Sequence, residues 1–503
     1  MGAMGRYLIA APSLAVLFAA CFGQTLSKPV PPHLMWEATI APYEVVAESA
    51  TRIMGPRASS SKSVDIVAPT PVHQTEPTFS PALTILPTVE VATGTATPFA
   101  DPLNKKLDAV GLRANIVREL STKNPVKRFF VSRDEMSFKV AEILKEDKDE
   151  ISIEQKLLTS LGLLSNEDAL GDLILALYSE GILGLYDSEE QKFFVVQNDD
   201  GLNPSQERTY VHEFVHHLQQ QAFDIDTTIK NLEYNQDAEL AFRALVEGDA
   251  SLAEGMYVQR YMSGIERAAS QEKASNALMD AFYAAPRTVQ RSFIFPYVEG
   301  LQFVKQLYSI GGWDSVNQSF SKIPQSTEQV IHPEKYLLPD DPIAVKVPSL
   351  IEALGDGWSE LTRNTMGELF LLAFLESGLS PEFASIATAG WGGDHFVLLE
   401  GPGEGDNLFA ALIIWDTEKD AKEFFDAITV ASPVIFSKLI TSDHTGALWE
   451  RVGEEGLEMF MVLSDRVVSI SLESEKTVLV IGPNVTVLEI VQRQFVLKGF
   501  VGF

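Results

Sequence analysis

Cysteine is almost missing from this chain. Cys21 is the only one in 503 residues, so no disulfide can form within it. Clusters of lysine or arginine are missing too. No basic run offsets the formal net charge of −30, which argues against nucleic acid or an anionic membrane surface as a partner. The acidic excess is read as a solubility feature outside the cell rather than as a preference for cationic substrates. A membrane-spanning run is also lacking: the apolar stretch Tyr7–Ala20 is short, lies at the N-terminus and ends in small residues, as secretory signals do. Against these absences stand a length that suits two or three domains and a hydrophobic content of 46%, which suits a globular protein.

The lone cysteine closes the apolar run. Phe18-Ala19-Ala20-Cys21 resembles the lipobox of bacterial lipoproteins, although a phenylalanine stands where leucine is usual. The resemblance implies a signal peptide over 1–20, lipidation at Cys21, and an extracytoplasmic protein held to the membrane by its anchor. The alternative is a conventional signal peptide with an incidental cysteine, and hence a secreted protein. Residues 21–103 follow as a Pro/Thr-rich linker (P-T-P-V-H-Q-T-E-P-T, then A-T-G-T-A-T-P). Proline fixes φ and small polar residues bury little, so such a segment is extended.

Order begins near residue 104. A strand is expected over 128–132, a capping box at Ser132 and Glu135, and helices over 135–146, 152–162 and 167–180. Gly184–Asp187 reads as a turn and Lys192–Val196 as a strand, placed at the edge of the cleft by analogy with zinc peptidases. The helix from about Pro204 to Ala222 then carries His212-Glu213-Phe214-Val215-His216, an H-E-x-x-H motif that also places three of the eight histidines within six residues. Positions i and i+4 share one helical face, so His212 and His216 can present two imidazoles to one ion. A catalytic zinc takes three protein ligands and leaves a position for water, and Glu213 stands where that water needs a base. A helix with merely packed or solvated histidines is the bland alternative.

The third ligand follows by elimination. The metzincin pattern needs glycine three and histidine six residues after the second ligand, where this chain has Gln219 and Ala222. A glutamate on the next helix remains, and both Glu239 and Glu247 qualify by distance. Glu247 is preferred, because it lies among Ala244, Leu245 and Val246, where a carboxylate without a partner is costly to bury. Gly248 beside it costs about 1 kcal/mol relative to alanine in a helix, and is expected to mark close approach to the motif helix. Glu239 reads as a solvated helix-face residue and His217 as a rim or outer-sphere residue.

His212-Glu213-x-x-His216 with Glu247 downstream resembles the gluzincins, the zincins that include thermolysin-like enzymes. H-E-F-V-H-H-L-Q followed by A-L-V-E-G-D-A is also similar to poorly characterised metallopeptidase-like bacterial lipoproteins, over residues 180–260. The resemblance implies zinc-dependent hydrolysis of a protein or peptide substrate with Glu213 as general base. In thermolysin-like enzymes an aspartate four residues after the glutamate ligand orients a histidine. Here that position is Ser251, and Asp249 is the nearby candidate for the role. Tyr297 and His332 are candidates to stabilise the oxyanion. The alternative function is a non-catalytic surface binding or scaffold lipoprotein with a structural zinc.

The expected fold class is α+β: a mainly helical zincin-like domain over 104–389 with a small edge sheet, and an accessory α+β domain over 390–503. The region 236–310 is expected to be mainly helical, with another helix over 364–377. Strands are expected at 394–399, 408–415, 457–463, 466–472 and 477–481, with helices from Thr417 to Ile428 and from Thr486. This accessory pattern suits a small sandwich such as the ferredoxin-like one.

Overall fold

The computed structural model describes residues 100–497, except 166–168, 182–183, 188–191, 197–201, 272–275, 339, 404, 440–446, 453–456 and 464–465. The expected signal peptide, Cys21 and the linker up to residue 99 lie outside the described residues. The fold is α+β. Among the described residues, no helix is long and apolar enough to cross a membrane.

A small sheet holds β1 (Lys127–Val131), β2 (Gly184–Asp187) and β3 (Lys192–Val196) in the order β1-β3-β2, with β1 parallel and β2 antiparallel to β3. The turn expected at Gly184–Asp187 is therefore a strand. Its turn-forming ends bracket buried Leu185 and Tyr186, and its backbone pairs with Lys192–Val195. The strand expected at the edge, β3, is instead central, and the edge strand packed on the motif helix is β2.

The larger sheet is antiparallel, in the order β4-β5-β6-β10-β9-β8-β7. It comprises β4 (Ser359–Asn364), β5 (Trp391–Glu400), β6 (Asn407–Trp415), β7 (Ala447–Val452), β8 (Leu457–Val462), β9 (Val467–Glu473) and β10 (Lys476–Gly482). Alternation with period two divides its side chains between two cores. Phe396, Leu398, Phe409 and Ala411 face Phe424 and Ile428 of the helix Glu418–Ile435. Val397, Leu399, Leu408 and Ala410 face Leu488 and Val491 of the helix Val485–Leu497. The ferredoxin-like arrangement is not the one present. Strands β7 to β10 each pair with the next as a meander, so no crossover helix separates them as a β-α-β-β-α-β order requires. Nor does packing change at residue 390: β4 pairs with β5, and Met136, Leu177, Phe374, Trp391 and Ile470 belong to one apolar core.

Three helices carry the candidate site. The motif helix (Pro204–Phe223) and the long helix (Arg287–Ser319) both pack on the ligand helix (Gln236–Tyr261). The close approach expected of Gly248 exists, but its partner is the long helix rather than the motif helix. A Cβ on Gly248 would lie 2.2 Å from the carbonyl oxygen of Gly300, and one on Gly300 would lie 2.2 Å from that of Ala244. The two backbones therefore touch, and only glycine fits at either position. The long helix is itself interrupted at Gly311 and Gly312, where Gly312 takes a φ of 62°.

Gly300→Ala must push the two helices apart and should cost about 3 kcal/mol of stability in urea unfolding, the upper end of the usual overpacking range; a loss near zero would show that the crossing yields freely. Burial pushes the Glu299 carboxyl from 4.5 up to about 7, and its Oε2 has no hydrogen-bond partner. A folded-state pKa raised this way gives stability that is present below the unfolded value and is lost as pH rises through the folded one. Glu299→Gln should therefore raise the melting temperature of chelator-treated protein at pH 8 and leave it nearly unchanged at pH 5. Equal shifts at both pH values would contradict the assignment.

Candidate metal centre

The motif helix begins where its sequence says it should. Asn203 caps it, accepting from the Gln206 N–H at 2.9 Å and donating its own N–H to Gln206 Oε1 at 3.1 Å, and Pro204 occupies the first turn. Gln206 also donates to the Val196 carbonyl, which ties the helix start to β3. The helix ends at Asp224 in the left-handed region. One turn apart on its inner face, His212 and His216 lie with ring centroids 4.8 Å apart.

The ligand helix brings Glu247 to both imidazoles. Its Oε2 lies 3.0 Å from His212 Nε2 and 3.3 Å from His216 Nε2. Ligand atoms of His212, His216 and Glu247 fall within 4.8 Å of one another, and among the described residues this is the one group of three or more that could hold a metal ion. Donor spacing suits such an ion: bonds of about 2.0–2.2 Å in a tetrahedral set place neighbouring donors about 3.3 Å apart. The orphaned atoms point the same way. His216 Nε2, Glu247 Oε1 and both oxygens of Glu213 are buried with no hydrogen-bond partner. Unsatisfied polar atoms are costly in a protein interior, and a shared cation would satisfy those of His216 and Glu247.

The charges at the cluster are strongly coupled. Burial alone would raise the Glu247 carboxyl, but His216 and His212 hold it down at about 2. Burial would lower His212, yet hydrogen bonds to Glu247 and Glu254 outweigh it and push the imidazole up to about 9. For Glu213 burial wins: with Glu247 adding repulsion, it pushes the carboxyl up to about 8 against the lowering pull of His216 and of the Tyr186 backbone. Without a cation Glu213 is thus a mainly neutral acid near pH 7; a nearby positive charge would return it to the carboxylate.

Each imidazole is held from behind. His212 Nδ1 donates to Glu254 Oε2 at 3.1 Å, and Glu254 is paired with Arg208. His216 Nδ1 donates to Gln219 Oε1 at 2.8 Å, and Gln219 Nε2 donates to Asp249 Oδ2 at 2.7 Å. Sequence reasoning overlooked Glu254 and gave Gln219 no role. Glu254 lies two helical turns beyond Glu247 and so on the same face, whereas the gluzincin pattern draws the eye to Ser251. Asp249 does support the site, but through Gln219 rather than by direct contact with a histidine.

Tyr297 lies at the cluster and His332 does not. The Tyr297 side chain is half-buried, and burial together with the charges of Glu247 and Glu213 pushes its phenol well upward. The charges of Glu247 and Arg243 bear on the Tyr178 phenol as well as on that of Tyr297. His332 is instead bound to Glu368 at 3.1 Å. Its segment is pinned where Thr327 bonds Asp237 at the start of the ligand helix, about 15 Å along the axis from Glu247 at 1.5 Å per residue. His217 is fully buried between the Tyr186 hydroxyl and the Asn124 carbonyl, not at a rim. Glu239 is partly buried and pairs with Arg243 one turn along. Glu254→Ala should weaken zinc binding about 10–100-fold in chelator competition, and unchanged affinity would remove Glu254 from the support of the site.

Comparison with known proteins touches a different part of the chain. A family model described as a domain of unknown function (DUF8575) matches residues 354–492, which span β4 to β10 and leave out the motif and ligand helices. No curated protein and no solved structure matches the chain.

Proposed function

We propose that the chain is a gluzincin-type zinc metallopeptidase that hydrolyses peptide bonds of a protein or peptide substrate. The observation that carries this reading is Glu213: a buried carboxyl group with neither oxygen hydrogen-bonded, beside a two-histidine, one-glutamate donor set. A purely structural zinc is closed by four protein ligands and needs no free base beside it. Two imidazoles and a carboxylate suit zinc among the divalent ions.

Zinc in this donor set would supply Lewis acidity toward a carbonyl oxygen and lower the pKa of a water toward about 7. The protein's own groups do the rest. Glu213 takes a proton from the attacking water and delivers it to the leaving nitrogen, and its two unpartnered oxygens leave it unhindered for both transfers. Tyr297 donates its phenol proton in a hydrogen bond to the carbonyl oxygen as negative charge develops there. Glu254 and Gln219 keep a proton on the Nδ1 of each histidine, so that both Nε2 lone pairs face inward. A zincin-like catalytic layer, an extracytoplasmic address and a lipid anchor at Cys21 belong to the same reading.

The test uses the full-length protein. Wild type should hold close to one zinc and cleave members of a mixed peptide library. Glu213→Gln should keep the zinc and lose about 10²–10⁴-fold in rate. A wild type that binds zinc stoichiometrically and cleaves nothing would favour the scaffold alternative. Tyr297→Phe should lower kcat with little change in KM if its hydrogen bond forms in the transition state; a KM effect alone would assign it to substrate binding.

A further inference from the structure

We propose that Arg118 is a positioning residue for the metal ligand His216, acting through Asp249 and Gln219; this rests on the reading of His212, His216 and Glu247 as metal ligands. Arg118 is the last residue of the helix Ala100–Arg118, which contributes no ligand of its own. Its side chain is fully buried, and so is that of Asp249, with Arg118 Nε 2.5 Å from Asp249 Oδ1. Arg118 is held in turn by Asn317 Oδ1 at 2.7 Å and by the ring of Trp313, 4.3 Å from the guanidinium carbon. Trp313 closes the frame by donating its indole N–H to the Val117 carbonyl at 2.8 Å.

What this frame controls is the orientation of one amide. Gln219 Nε2 faces two groups that can only accept, the Val246 carbonyl at 2.9 Å and the Asp249 carboxylate at 2.7 Å. The amide nitrogen must therefore lie on that side, and the amide oxygen must face His216. An oxygen there obliges His216 Nδ1 to carry the proton, which leaves the Nε2 lone pair free for a cation. Without the guanidinium, Asp249 would be a buried charge with no counter-charge, and it would turn toward other donors or water. Gln219 would then lose one of the two acceptors that fix it. A flipped amide presents its NH2 to His216 Nδ1 and selects the opposite tautomer, with a proton on the Nε2 that must bind the ion. Docking of the helix Ala100–Arg118 and metal binding are thus linked, and linkage acts in both directions.

The experiment measures zinc affinity of the full-length protein by chelator competition and, separately, the melting temperature of the chelated protein. Arg118→Met should weaken zinc binding about 10–100-fold, the usual effect of losing support behind a ligand. Arg118→Lys, which keeps the charge, should fall between Met and wild type. A merely structural arginine would lower the melting temperature and leave zinc affinity untouched, so a folded Arg118→Met protein with wild-type affinity overturns the proposal. Should Arg118→Met fail to fold, hydrogen exchange of the wild type decides. Zinc is expected to slow amide exchange in the last turn of Ala100–Arg118, and exchange unchanged by zinc overturns the proposal. A wild type that binds no zinc at all would instead overturn the metal reading, and this proposal with it.

Discussion

The contact on which the site depends is backbone against backbone, where Gly248 of the ligand helix meets Gly300 of the long helix. Two helices normally stay apart by the width of their side chains. Here both are bare at the crossing, so the positions on either side are set by main-chain van der Waals contact rather than by adjustable side chains. Glu247 precedes the first glycine by one residue and Tyr297 precedes the second by one turn. A ligand and a candidate proton donor on different helices are thereby held in a fixed relation by atoms with no rotamers to choose. The motif helix supplies the opposite wall, and its start is anchored to β3 through Gln206.

Around this crossing the protein buries charge and neutralises it in short chains. Glu254 meets Arg208 on one side and Asp249 meets Arg118 on the other. Each pair is expensive to desolvate, and each is weak evidence for stability as such. Their value lies in direction. A carboxylate behind His212 and a carboxylate-fixed amide behind His216 each leave one tautomer for the ring they face. Glu213 stands apart, buried with neither oxygen hydrogen-bonded, and on the proposed reading it is the group kept for chemistry.

Local signals read well in the sequence, and those that depend on distant neighbours did not. The start of the motif helix at Pro204 was legible because a helix start is settled by the residues at the start itself. Glu247 could be chosen over Glu239 because a carboxylate in an apolar stretch needs a reason to be there. Strand β2 was misread from the turn formers at its ends, and β7 was missed because Glu450 and Arg451 interrupt its alternation. His332 was a candidate to stabilise the oxyanion; the bonds from Thr327 to Asp237 and from His332 to Glu368 place it elsewhere. Glu254 escaped notice because its role depends on which face of the ligand helix meets the motif helix, a fact of packing rather than of spacing.

The region that a family model matches begins at residue 354, not at the break expected at residue 390. The matched region, residues 354–492, looks like a transferable module, yet Phe374 and Trp391 lie in the same core as Met136 and Leu177. The Asp237 carboxylate, at the first turn of the ligand helix, also fills the space that a side chain on Gly367 would need. A gene that acquired this region by fusion would have to remake both faces before either half packed. Descent should therefore have changed the two parts in concert, with substitutions at Phe374 or Gly367 answered by substitutions on the side of the motif and ligand helices.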